Sequence, residues 1–215
     1  MDLQAMLKML GEGFLKTLEI FGLTLIFSLP LGLLVSFGRM SKNCIIRWIM
    51  KIYISIMRGT PLMLQLIVVY FGPHYLFHMS LRGYDFAAVI IAFVLNYSAY
   101  FAEIYRSGIE SIPKGQHEAA KVLGYSRSQT FVKIVLPQVV KRILPPATNE
   151  IITLVKDTSL AQVLTIGEMF TIAKRITASR SSLVPLFVAG IFYYVFNYLV
   201  AFVMERIEKK LSYYR

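Results

Sequence analysis

One cysteine, Cys44, in 215 residues leaves nothing to pair with internally, so neither a disulfide framework nor a two-cysteine redox motif is available. Charge is also scarce. Charged residues make up 16% of the chain against 56% hydrophobic ones, and the mean hydropathy of +0.60 is too high for an ordinary water-soluble domain. Acid is scarcer than base, 12 Asp and Glu against 23 Lys and Arg, but the excess lies in short segments between apolar stretches rather than on one basic face, which reads as membrane topology and not as nucleic-acid binding. There is no GxxxxGK[ST] loop to cradle a nucleotide, so energy from ATP would have to arrive from another polypeptide. The three histidines, His74, His78 and His117, fall in predicted loops. That leaves an intramembrane hydrolase without a base at depth. No internal repeat or low-complexity tract interrupts the sequence, and residues 1–215 are read as one transmembrane domain. The first 19 residues alternate acid, base and apolar side chains without the pattern of a cleavable leader, so the first span is expected to be retained.

Four uncharged runs, Ile20 to Gly38, Gly59 to Leu81, Phe86 to Ala102 and Ser181 to Met204, approach or exceed the roughly 20 residues that cross a bilayer as a helix. A fifth, Ile143 to Gly167, is apolar but holds Pro145, Pro146, Glu150, Lys156 and Asp157, and is expected to be a broken helix sheltered by the others. The fold class is therefore all-α integral membrane, with about five transmembrane helices. Arg39, Lys42, Arg47 and Lys51 lie in a segment without acid, and the loop after the third span is rich in Lys and Arg; both are assigned to the cytoplasm, with the N-terminus outside and the C-terminus inside. Basic Lys174, Arg175 and Arg180 run against that assignment, while the tail Glu205 to Arg215 agrees with it. Between Arg39 and Met57, apolar residues at three-and-four spacing predict an amphipathic helix lying at the membrane surface.

The loop at about 106–142 is the most informative stretch. Pro113 to Leu123 predicts a short helix, Gly124 its left-handed cap, and Ser126 with Gln129 a capping box that opens a second helix. Glu118, Ala119 and Ala120, then Gly124, Ile134 and Leu136-Pro137, follow the register of the EAA loop and resemble the permeases of ABC importers. Arg58-Gly59-Thr60-Pro61, Glu103 with Ile112-Pro113-Lys114-Gly115-Gln116, and Lys156-Asp157-Thr158-Ser159-Leu160 are similar to the polar amino-acid branch of that family, whose members include histidine, arginine and glutamine permeases. The resemblance implies the type I ABC importer permease architecture in a bacterial cell membrane. Its partners would be two cytoplasmic ATP-binding subunits, a second permease subunit in a homodimer or heterodimer, and an extracytoplasmic amino-acid-binding protein. No cofactor would be bound by this chain, ATP and Mg residing in the partner. Glu118, Ala119, Ala120, Lys121 and Gly124 would couple to the ATPase. The positions matching the family's substrate site are Thr24, Thr60, Asn96, Glu103, Asp157 and Thr158.

Each of these polar residues also has a plainer use. Glu103 precedes Arg106 by three residues and can form an ion pair with it. Asp157 opens an Asp-Thr-Ser cluster suited to capping, and Thr24, Thr60 and Asn96 can bond helix to helix. Buried carboxylates would equally serve a secondary transporter or channel as ion sites, but five spans without an inverted repeat fit that alternative less well. His74 and His78 are one turn apart, yet two ligands without a third make a weak metal site, and none is assigned.

Overall fold

The computed structural model describes residues 3–211, and the regular elements among them are all helical. In order they are α1 (Leu3–Arg39), α2 (Cys44–Gly59), α3 (Leu62–Phe77), α4 (Asp85–Glu110), α5 (Lys114–Val122), α6 (Arg127–Thr130), α7 (Leu136–Asp157), α8 (Met169–Arg180) and α9 (Val184–Leu211). A π-helical turn, Phe131–Val135, joins α6 to α7, and a 3₁₀ segment, Thr158–Leu164, follows α7. The final tail residues, 212–215, lie outside the described residues.

α4 is the central element, packing against α1, α2, α3 and α7. Its Phe93, Tyr97 and Phe101 are fully buried or nearly so and meet Ile20 of α1, Leu66 of α3 and Leu154 of α7 in the main core. Glycine allows the closest approaches. A Cβ at Gly32 would lie 2.9 Å from Phe101 Cβ and 3.0 Å from the Ser98 carbonyl, and one at Gly108 would lie 2.2 Å from Ile143 Cγ2. Small residues at such crossings are how membrane helices gain van der Waals contact without a hydrophobic drive between them.

α1, α4 and α9 are long and apolar enough to cross a bilayer; α2 with α3, bent by 113° across a short break, counts as a fourth if the pair is one span. α7 carries Lys141, Arg142, Glu150, Lys156 and Asp157, and is covered by α4 and α9 instead of being apolar throughout. The break expected between Ile143 and Gly167 is there but lies past the prolines: α7 runs through Pro145 and Pro146 and gives way to the 3₁₀ segment at Asp157. The prolines remove two N–H donors from the helical ladder, but Ala147, directly after them, is buried in the main core, so packing carries the helix past them. α1 begins at Leu3 rather than near Ile20, and its 37 residues span about 55 Å at 1.5 Å per residue. Its first half buries Met6, Leu10, Gly13 and Thr17. The partner of that face is α8, a helix where the sequence predicts only a basic loop.

Candidate functional site

The loop between α4 and α7 protrudes as a short helical elbow whose shape is set by its own residues. Pro113 stands at the N-terminus of α5, and Gly124 takes φ +79, a backbone that glycine adopts without steric cost. Around it the Tyr125 N–H donates to the Ala120 carbonyl at 3.0 Å and the Gly124 N–H to that of Lys121 at 3.1 Å. The capping box closes α6: the Gln129 N–H donates to Ser126 Oγ at 3.3 Å, and the Ser126 N–H to Gln129 Oε1 at 2.8 Å. Glu118, Ala119 and Lys121 are exposed, whereas Ala120 turns inward and is 1% exposed. Val122 and Leu123 are 87% and 74% exposed at the tip, apolar side chains left uncovered among the described residues. Between α5 and α6 a groove of about 690 Å³ is lined in part by Glu118, Lys121, Tyr125 and Arg127.

The elbow is fixed to the spans at its base. Gln138 Nε2 of α7 donates to Gln116 Oε1 of α5 at 2.6 Å, and the Arg142 guanidinium donates to the Ser111 hydroxyl at 2.8 Å and to its carbonyl. Ile112, Val135 and Val139 form a buried cluster beneath it. These contacts tie α5 to α7 and α7 to the end of α4.

The residues matched to a substrate site divide into three places. Asp157, half-buried, accepts from the Tyr97 hydroxyl at 2.8 Å across the α4–α7 contact. Glu150, two turns earlier on α7, forms no ion pair among the described residues; Arg58 and Asp157 are the charges near enough to act on it. Tyr100 lies beside Tyr97 with ring centroids 6.3 Å apart, and the Arg58 guanidinium sits 5.2 Å above the Tyr100 ring. This face is acidic: Asp157, held by the hydroxyl of the buried Tyr97, and Glu150 supply charge, and half-buried Tyr100 lies beside them with the Arg58 guanidinium over its ring.

Thr60 and Asn96 lie at the α2–α3 corner. Gln65 Nε2 donates to the Thr60 hydroxyl at 2.8 Å and to the Met57 carbonyl at 3.0 Å, while Asn96 Nδ2 donates to Gln65 Oε1 and to the same Met57 carbonyl, both at 3.0 Å. This network satisfies carbonyls that the break between helices would otherwise leave open. Gln65, its hub, has no sequence signal beyond being a polar residue in an apolar run.

Glu103 sits at the end of α4 nearest the elbow. Arg106 binds it through two nitrogens, at 3.1 and 2.7 Å to different carboxylate oxygens, while Arg39 and Arg58 approach at 3.8 and 4.0 Å. Arg106 also pairs with Glu110. The two long-range arginines are beyond what helical spacing could reveal.

Thr24 and Thr158 are fully buried. The Thr24 hydroxyl finds no partner among the described residues, and that of Thr158 donates to the Val155 carbonyl at 2.7 Å. Near Thr158 stands a carboxylate the sequence did not mark. Glu168 is fully buried at the N-terminus of α8 and accepts from the Phe170 N–H at 2.7 Å, the Thr171 N–H at 2.6 Å, the Thr171 hydroxyl at 2.7 Å and the Tyr193 hydroxyl at 3.0 Å. Its only local signal is the threonine three residues on, since Tyr193 comes from α9. His74 and His78 form no metal pair: His74 Nδ1 bonds the Met79 carbonyl, and His78 is the left-handed end of α3.

Residues 28–213 match the family described as binding-protein-dependent transport system inner membrane component. The L-cystine transport system permease protein TcyB of Bacillus subtilis (strain 168) is 36% identical over 98% of this chain and 90% of its own length. The arginine transport system permease protein ArtQ of the same organism is 38% identical over 94% of this chain and 91% of its own. Among solved structures, an amino acid ABC transporter crystallised with histidines superposes with a TM-score of 0.87 at 29% identity, covering 98% of this chain and 99% of that one.

Proposed function

The chain belongs to the family of binding-protein-dependent transport system inner membrane components and is the permease subunit of an ABC importer, with ATP hydrolysis left to a separate subunit; from this premise we propose a polar amino acid as cargo and α5 as the ATPase contact. The observation that carries the reading is the rigid elbow that ends in bare Val122 and Leu123, rimmed by Glu118 and Lys121. An apolar tip ringed by charge suits a cleft on another protein. Ala119 lets that cleft approach the backbone, while Ala120 and Gly124 hold the elbow's form.

In this reading the elbow and the C-terminus lie in the cytoplasm and the N-terminus outside. Two ATP-binding subunits, which hold ATP and Mg, a second permease subunit and an extracytoplasmic amino-acid-binding protein complete the assembly, and residues 1–215 act as one permease domain. The cargo's ammonium, or the side chain of a cationic amino acid, faces Asp157 and Glu150, with Tyr97 orienting Asp157 from within the core. Thr24 and Thr158, fully buried, back that path from within the bundle, Thr60 and Asn96 hold its corner, and Glu103 stands at its end near the elbow. Similarity to permeases named for cystine and arginine supports an amino-acid cargo.

Glu118→Lys reverses charge on an exposed side chain and leaves every described span untouched. Co-purification of the ATPase should fall at least about tenfold, equivalent to roughly 1.4 kcal/mol, with membrane insertion unchanged. Undiminished co-purification would remove α5 from the contact.

A further inference from the structure

α2 presents three faces at about 100° per residue. Met50, Tyr53, Ile54 and Met57 turn toward the bundle; Ile54 is buried with Val35, Ala99 and Ala102, and the Tyr53 hydroxyl donates to the Leu95 carbonyl at 2.6 Å. Ile45, Trp48, Ile49, Ile52 and Ile56 form a second stripe turned away from the bundle, with Ile45 and Trp48 64% and 63% exposed. Arg47, Lys51 and Arg58 occupy the third face. The 113° bend at the break sets α2 close to perpendicular to α3, so a membrane-crossing α3 lays α2 along the surface.

From Arg39 to Arg58 the sequence has five bases and no acid. Arg39 and Arg58 reach Glu103, but Lys42, Arg47 and Lys51 make no ion pair among the described residues. An uncovered aliphatic stripe beside an uncompensated basic row needs an apolar medium next to an anionic one. A second copy of the chain meets this poorly, since a two-fold contact through α2 would oppose basic rows on a helix that has no acid. Acyl chains beneath phosphate headgroups meet it at the depth of one helix.

We propose that α2 docks on anionic lipid of the cytoplasmic leaflet, its isoleucine and tryptophan stripe in the acyl boundary and Lys42, Arg47 and Lys51 gathering phosphate headgroups. The inference rests on the membrane placement but not on the cargo or the ATPase contact. Because α2 ends at the Thr60 corner that Gln65 ties to Asn96, the lipid fixes the position of that corner relative to the bilayer.

Trp48 is the sole tryptophan of the chain and lies on the stripe, so it reports the contact directly. The full-length chain is placed in phosphatidylcholine nanodiscs containing an equal fraction of either brominated phosphatidylglycerol or brominated phosphatidylcholine. Trp48 should be quenched about twofold more by the brominated anionic lipid. Arg47→Gln with Lys51→Gln should equalise the two while leaving both quenchers effective, and Arg47→Lys with Lys51→Arg should keep the preference; an unchanged elution volume shows that the variants fold. Equal quenching in the native chain overturns the anionic preference. Absence of quenching by either lipid overturns the docking altogether and puts Trp48 against protein, a second copy included.

Discussion

Glu103 and Glu168 are both sheltered carboxylates, yet one sits among arginines and the other among uncharged donors. Glu103, near the elbow, is shared by Arg39, Arg58 and Arg106, drawn from three helices at 2.7 to 4.0 Å. Glu168, at the α8 end, is held by four short contacts from two N–H groups and two hydroxyls. Arg106 holds Glu103 through two nitrogens while Arg39 and Arg58 add charge at longer range, whereas Glu168 is held by four fitted neutral donors. The elbow end is thus joined across three helices by charge, and the α8 end by uncharged hydrogen bonds.

The largest effect is expected at the α8 end. Glu168→Ala strips the α8 N-terminus of its cap and leaves buried donors unpaired, costing about 3 kcal/mol. Thermal denaturation followed by size exclusion measures this, and a native melting profile would erase the contrast. Next comes Glu103→Gln, which keeps the shape but frees three arginines. Uptake in proteoliposomes should drop roughly tenfold, about 1.4 kcal/mol, and equally for arginine and glutamine. Loss confined to arginine would make Glu103 a ligand rather than a latch. The smallest effect separates the two ends by salt. Moving from about 0.1 M to about 1 M ionic strength shortens the screening length from about 10 to about 3 Å and should lower the native melting temperature by about 2 °C, but not that of Glu103→Gln. Equal sensitivity in both would mean that the arginine cluster holds nothing together.

What the sequence disclosed was mostly local. The Ser126 and Gln129 capping box, the Gly124 turn and the amphipathic α2 are decided by neighbours within a few residues, so spacing alone reveals them. Hydropathy and the uncharged runs disclosed the helical membrane class, and the family register the role of the elbow as an expectation. Hidden features depend on distant partners. α1 extends to Leu3 because its first half meets α8, a contact in which the Met169 N–H donates to Thr17 Oγ1 across 152 residues. Gln65 and Glu168 are single polar letters in apolar surroundings, and only Asn96 and Tyr193, brought up from other helices, give them meaning. The prolines of α7 misled for the opposite reason: their local penalty is real, but tertiary burial outweighs it.

The π-helical turn at Phe131–Val135 lies in a continuous rod from Arg127 to Asp157. A turn widened in this way offsets the azimuth of everything before it relative to everything after, and each residue of phase is worth about 100° of rotation. Were the turn to tighten into regular α-helix, α6 would swivel around the rod's axis relative to Asp157, and the bond from Gln138 to Gln116 that spans the turn would have to break. The phase of the elbow about the rod is thereby set by one widened turn and pinned by one side-chain bond across it.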